Sequence, residues 1–443
     1  MSAVCKSKLC RINALRKIIN FNNPWFWVPS VFFMEGFPGT IIMISLGIMY
    51  KNFGISNAEI TFYTGILVLP WVVKPLWASL IDIFFTKKQW IYITEVLIGC
   101  LLIIMAIAIK SPNFFIFSLL VASMIAFISA SHDIAVDGFY IMELKPAEQS
   151  FFVGLQSASY NVGKIFASGF LVMLCGVIYG YVGNYFSAWS FCLAVFGVIC
   201  IFIGVYHKSA LPKDETIKDN YALKDIIKDF VNIYVSFFKI KGLVLGLLFI
   251  FFFKLSESMV SAILPLFLID STSKGGLALS NTFVGFAYGT ISPLAIVIGG
   301  LLGGYIIYKK GFYACIYWML ALVNIPNILY VLLAYFHISD HSVVLSCIAV
   351  EQFCFSVGYT SCIMFNYFML KNSEYKTAHY SFFAGAMLFA TMFPKILSGV
   401  LQEFVGYQGF FVIVFFMLFP AIFITKLIRS NVGDYGKVGR KAI

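Results

Sequence analysis

Twelve stretches of the chain are each apolar over about 20 residues, the length at which a helix crosses the hydrocarbon of a bilayer. They fall roughly at 27–50, 61–83, 89–108, 114–141, 151–178, 188–206, 242–269, 282–308, 312–336, 342–370, 380–402 and 409–428. Of the 443 residues, 61% are apolar and 12% charged, and the mean hydropathy is +0.91. A soluble globule has no use for so much apolar surface. The sequence therefore specifies an all-α, polytopic membrane protein with twelve transmembrane helices. Gly36, Pro38, Pro70, Pro75, Pro265, Pro293, Pro326 and Pro394 fall inside these spans and mark expected kinks.

The net charge of +11 invites a nucleic-acid reading, which the placement of the charge excludes. The N-terminal tail, alternate loops and the C-terminal tail carry 24 of the 31 Lys and Arg residues. The opposite loops carry only Lys51, Lys110 and Lys274. Loops rich in Lys and Arg stay on the cytosolic side, so both termini are expected there. The basic segment Met1 to Asn20 leads into a span too long for a signal peptide and has no small-residue cleavage site, so it is expected to be retained. The ten cysteines are scattered, with no CxxC pair, and read as packing residues. No metal and no cofactor are expected.

The longest polar segment, His207 to Lys241, divides the chain into residues 1–206, a linker 207–241, and residues 242–443. Within it, Tyr221 to Phe230 has apolar residues at 223, 226, 227 and 230, the spacing of an amphipathic helix lying on the inner leaflet. The two long parts echo each other. Ser150-Phe-Phe-Val-Gly154 is followed by Lys164, and Ser381-Phe-Phe-Ala-Gly385 by Lys395, each lysine ten residues after its glycine. Both lysines precede Ile and then a Ser-Gly pair. Two similar six-helix halves joined by a cytosolic linker resemble the major facilitator architecture.

Charge inside the spans carries the functional signal. Lys74, Lys164, Lys254 and Lys395 lie at membrane depth together with Glu35, Asp133, Asp137, Glu257 and Glu351. Such residues are costly in hydrocarbon and mark substrate or ion pathways, or pair with one another. At about 1.5 Å per residue, Glu35 and Lys74 lie about 12 Å from the cytosolic ends of their helices, a depth at which they can pair. If such a pair opens, its carboxylate becomes a proton acceptor. Lys164 and Lys395 sit on helices expected to face each other across the two halves. They are candidate ligands for a carboxylate or phosphate, with Lys254 and Tyr160 beside them. Lys254 and Glu257 are spaced i, i+3 and can satisfy each other locally. Glu351 has no evident partner. Asp133 and Asp137 share a helix face near the cytosolic end, and coupling, gating or a structural network all remain open for them. Glu95 is expected to pair with loop lysines. Glu59, Asp270 and Asp340 read as solvated loop charges.

Three stretches resemble one family. Leu69-Pro-Trp-Val-Val-Lys-Pro-Leu-Trp-Ala-Ser-Leu-Ile-Asp82 resembles the Lys-x-Leu-Trp-(Ser/Ala)-Pro-Leu-x-Asp signature of the AmpG-type muropeptide permeases. Ser129-Ala-Ser-His-Asp-Ile-Ala-Val-Asp-Gly138 resembles their Ser-Ala-Ser-Gln-Asp-Ile-x-x-Asp, and Pro146-Ala-Glu148 their Pro-x-Glu. Gly36-x-Pro38 fits their first helix, and the patterns are also similar to those of acetyl-coenzyme A transporters. The resemblance places Lys74, Asp82, Asp133 and Asp137 among the family's characteristic residues. It implies proton-driven uptake of anhydro-muropeptides, which are cell-wall fragments. The departures are Ser79 where the family has Pro, His132 where it has Gln, the extra acid Glu35, and Lys164 one turn beyond the family's Arg.

The expectation is therefore a monomeric secondary transporter of the inner membrane, a proton symporter and not an enzyme. Its partners are a small anionic substrate, protons and the lipid bilayer, with muropeptide first and acetyl-coenzyme A, a peptide or another organic anion as the alternative. Lys164, Lys395, Lys254 and Tyr160 would bind substrate. Glu35, Asp133, Asp137, Glu257 and Glu351 would carry protons, and Lys74 with Asp82 would gate. A membrane enzyme would need a catalytic set at an interface, and no Ser/His/Asp or metal grouping is present.

Overall fold

The computed structural model describes residues 23–78, 81, 85–144, 146–212, 223–371, 373 and 376–432. These residues form helices throughout. The first six spans are α1 (Pro24–Asn52), α2 (Asn57–Val73), α3 (Lys87–Ala108), α4 (Phe114–Glu143), α5 (Pro146–Ile165, continuing through a π turn into Leu171–Val182) and α6 (Tyr185–Ala210). A linker helix, α7 (Leu223–Phe238), leads to α8 (Leu243–Ile269), α9 (Asn281–Lys310), α10 (Phe312–Phe336) and α11 (His341–Met369). The last helix, Lys376–Phe416, breaks at Gly406, whose φ of 71° suits glycine and strains other residues. The break separates α12 (376–405) from α13, which continues through Leu418–Val432. Among the described residues, ten helices are long and apolar enough to cross a membrane. The Gly406 break divides the last of these, and the shorter α2 completes the twelve expected spans.

Helix starts coincide with side chains that accept hydrogen bonds from the first turn. Asn23, Ser56, Asn184, Ser280 and Asp340 cap α1, α2, α6, α9 and α11, and Thr86 and Gln89 form a reciprocal capping box on α3. Asp340, exposed as expected of a solvated loop charge, also caps a helix. The second span is interrupted inside its apolar run, with helical backbone again at Ala78 and Ile81. Its helix ends at Val73 and a 3₁₀ turn, Lys74–Leu76, follows. Pro75 has no N–H to continue the ladder. The amphipathic expectation at 221–230 falls on α7 from Leu223 onward, but the side chains there lie outside the described residues, as do Met1 to Asn20 and Asp82.

Alternation of the spans gives the molecule two faces, named here for Trp25 and Lys51 at opposite ends of α1. The apolar core is continuous between the two sets of six helices on the Lys51 side. There Ile42, Leu46 and Ile60 of the first set share one cluster with Ile263, Phe267 and Phe411 of the second. Toward the Trp25 face the core splits. One cluster (Trp27, Phe32, Phe139, Phe152) belongs to the first set, and a separate one (Phe253, Phe312, Met319, Phe365) to the second. A molecule joined at one face and divided at the other encloses a crevice.

The duplicated Ser-Gly pairs sit where the sets join. Gly169 of α5 meets the backbone of Gly289 of α9, and Gly399 of α12 meets Asn57 and Thr61 of α2. The Gly399 N–H donates to Thr61 Oγ1 at 3.1 Å. A side chain at Gly169 or Gly399 would overlap main chain that cannot step aside. Gly169→Leu or Gly399→Leu should lower stability by roughly 1–3 kcal/mol, read as an earlier thermal transition in detergent. An unchanged transition in both variants would contradict these crossings.

Candidate functional site

One group of charges belongs to the first six helices. Lys74, in the 3₁₀ turn after α2, places Nζ 3.7 Å from Asp133 Oδ2 of α4. Glu35 of α1 and Asp137 of α4 act on the same lysine electrostatically, and Tyr160 of α5 lies in the field of all three acids. The expected Glu35–Lys74 pair is therefore replaced by a Lys74–Asp133 pair inside a larger set. Three acids and one lysine carry a formal charge of about −2. Asp137 is exposed, while Asp133 is buried. Glu35 Oε2 and Asp133 Oδ1 are buried without a hydrogen-bond partner.

A second group lies on the midline and draws on both sets of helices. Lys164 of α5 has its ammonium 5.8 Å from the Tyr160 ring centre, and Lys254 of α8 stands 5.1 Å from that of Tyr359 in α11. Lys164 interacts electrostatically with Lys254 and Glu257 across the midline. Among the described residues Lys254 and Glu257 make no close ion pair, so their sequence spacing does not make them mutual partners. Glu257 Oε2 is buried and unpartnered. Two half-buried ammonium groups outweigh the one carboxylate near them, a charge balance suited to an anion.

Other expected site residues lie elsewhere. Lys395 of α12 is buried and donates to the Met43 carbonyl at 2.7 Å. That carbonyl belongs to the π turn Ile41–Ser45 of α1. Lys164 and Lys395 thus do not converge. Each reaches toward the first span of the opposite set. Glu351 is not solitary: Tyr330 Oη donates to it at 2.9 Å and Gln352 Nε2 at 2.8 Å, and Ser292 donates to Gln352 in turn. Trp77 Nε1 donates to Ser131 at 3.1 Å, fixing the turn that carries Lys74 against α4.

Sequence reasoning missed two clusters. The first seals the Lys51 face. Lys51 at the end of α1 meets Asp270 after α8 at 2.6 Å, with both side chains under a tenth exposed. Lys51 also donates to Asn57 Oδ1 at 2.8 Å, and Tyr407 Oη donates to Asp270 at 3.0 Å. Asn57 Nδ2 donates to Gln402 at 2.6 Å. Asn52 binds Asn281, and Trp189 Nε1 donates to Asn52. Asp270 is accordingly a buried partner rather than a solvated loop charge. Its loop position hid this, because only the closing of two helix sets excludes water from it. The second cluster holds Glu95, which is wholly buried against His132 and His207 and meets no loop lysine.

Removing one member of a buried pair strands the other. Asp270→Ala should cost roughly 3–5 kcal/mol, and Lys51→Met with Asp270→Leu together much less. Thermal unfolding of single and double variants measures this. Equal losses in both would show that the pair does not act as a unit.

The sequence profile of the Major Facilitator Superfamily matches residues 30–385. The AmpG 4 protein of Rickettsia conorii is 24% identical over 411 residues, covering 90% of this chain and 95% of its own length. The anhydromuropeptide permease of Escherichia coli is 22% identical over 376 residues, 83% of this chain and 72% of its own. Among solved structures, a bacterial homologue of the human lysosomal transporter Spinster superposes with a TM-score of 0.67 at 12% identity, covering 91% of this chain and 95% of that one. The D-xylose–proton symporter gives 0.65 at 13%, covering 93% and 98%. Ten membrane-length apolar helices among the described residues, the shared fold and a profile match over most of the length place this multi-pass inner-membrane protein in the major facilitator superfamily of transporters.

Proposed function

We propose that the protein takes up anhydro-muropeptides into the cytosol by alternating access, driven by protons. The carrying observation is that Lys164 and Lys254, from opposite sets of helices, lie within electrostatic reach of the same carboxylate, Glu257. A site made by both sets is remade or broken when they rock against each other. Acidic substituents suit the two ammonium groups, and Tyr160 and Tyr359 offer ring faces for the body of a larger solute. The names of the AmpG and anhydromuropeptide permease relatives favour the muropeptide class.

Glu35, Asp133 and Glu257 are the proton carriers in this reading. Each has a buried oxygen with no partner, free to receive a proton. Asp137, exposed toward the crevice, is the entry group. Lys74 gates by holding Asp133, and Asp82 joins that role by its place in the same signature. Lys395 and Glu351 are assigned to holding helices together, since each already has partners. With the Trp25 face cytosolic, the described state is open inward and closed outward by Lys51 and Asp270. A peptide is the second reading, because the crevice offers acids for an ammonium group as well as lysines for a carboxylate.

Uptake of labelled anhydro-muropeptide into reconstituted liposomes tests the site. Lys164→Ala should reduce uptake about tenfold or more, as expected for losing a charged hydrogen-bond partner, with insertion unchanged. Normal uptake by that variant would overturn the anion site. Absence of uptake by well-inserted wild-type protein would overturn the substrate.

A further inference from the structure

Glu95, His132 and His207 come from three helices, α3, α4 and α6, and all three are fully buried. His132 Nε2 lies 3.2 Å from Glu95 Oε1. His207 Nδ1 lies 2.7 Å from Oε2 and 2.9 Å from Oε1 of the same carboxylate. The other ring nitrogen of His207, Nε2, lies 2.8 Å from Ser30 Oγ of α1. Ser30 is half-buried, and its hydroxyl has alternative acceptors in the carbonyls of Phe26 at 3.1 Å and Trp27 at 3.2 Å.

Hydrogen counting shows what this arrangement permits. With Glu95 ionised, each histidine donates one N–H to it. His132 Nδ1 is buried with no partner, so a second proton on that ring would be an orphaned donor. His207 differs. Without a proton on Nε2, it accepts the Ser30 hydroxyl. With a proton there, it donates to Ser30 Oγ, and the hydroxyl turns to Phe26 or Trp27. Every hydrogen bond is satisfied in both states, and the net charge of the triad moves from −1 to zero. A serine able to face either way, half-buried near the Trp25 end of α1, supplies both the proton route and the compensation.

We propose that Glu95, His132 and His207 form a proton-binding site apart from the crevice carboxylates, loaded on His207 through Ser30. Its ligand is a single proton. His132 places it one residue from Asp133 of the crevice group. Among the described residues, Cys200 of α6 also faces the triad beside Glu95, and the Tyr206 ring of α6 stands 5.3 Å from that of His207, while α1 presents Ser30. The muropeptide permease signature has Gln at the position of His132, and Gln also has an N–H to offer Glu95. The proton-accepting ring is accordingly His207, and His132 is a positioning residue.

Nitrogen-15 NMR of histidine-labelled protein in lipid nanodiscs tests this without any substrate, so its outcome is independent of the transport reading. The chain has five histidines, assignable by single His→Gln variants. Across a pH series the His207 ring should pass from one N–H to two, while the His132 ring keeps one. Ser30→Ala should displace the His207 step by about one pH unit, and Ser30→Thr, which keeps the hydroxyl, should restore it. A His207 ring that does not change with pH would overturn the proposal. So would an identical step in Ser30→Ala, or protonation of His132 in its place.

Discussion

Charge at membrane depth is tolerated only where other groups answer it, and the answering groups here come from different helices. Lys74 is held by Asp133, Lys51 by Asp270, Lys395 by a backbone carbonyl of α1, and Glu95 by two histidines. Each contact ties elements distant in sequence. The polar groups therefore decide which helices can be neighbours, while the apolar residues fill the space between them. Apolar side chains gain little from each other in lipid, so helix association depends on close packing and on such polar contacts.

The distribution of these contacts shapes the molecule. On the Lys51 face, an ion pair, an asparagine network and glycine crossings accompany one shared apolar core. On the Trp25 face the core divides in two, and the unpartnered acid oxygens and the midline lysines occupy the cleft between. π turns interrupt α1, α5 and α9 in the shared core where the two sets join. A π turn loosens the regular ladder and is common at functional sites. In α1 the turn contains the carbonyl that accepts from Lys395. The same irregularity that fits a helix to its neighbour thus also makes a polar atom available in the middle of a membrane.

The spans were legible in sequence because apolar length is a local property. Their ends agree with the helices to within a few residues, except where Pro75 stops α2. The repeat around Lys164 and Lys395 was legible too, and its Ser-Gly pairs prove to be crossing points between the helix sets. Pairing was not legible. Glu35 and Lys74 matched in depth, yet the lysine turns to Asp133, because the 3₁₀ turn brings it against α4. Lys254 and Glu257 matched in spacing, yet the lysine lies over Tyr359. Asp270 looked solvated because its burial depends on a helix 219 residues away in sequence. Partner choice is set by helix rotation and packing, which one sequence does not display.

Proton-driven movement of a muropeptide through this crevice is tested most directly by uptake of labelled anhydro-muropeptide into right-side-out vesicles, with and without a proton ionophore. Accumulation should collapse when the ionophore is added. Accumulation that persists undiminished would contradict proton coupling, and no accumulation at all by inserted protein would contradict the substrate.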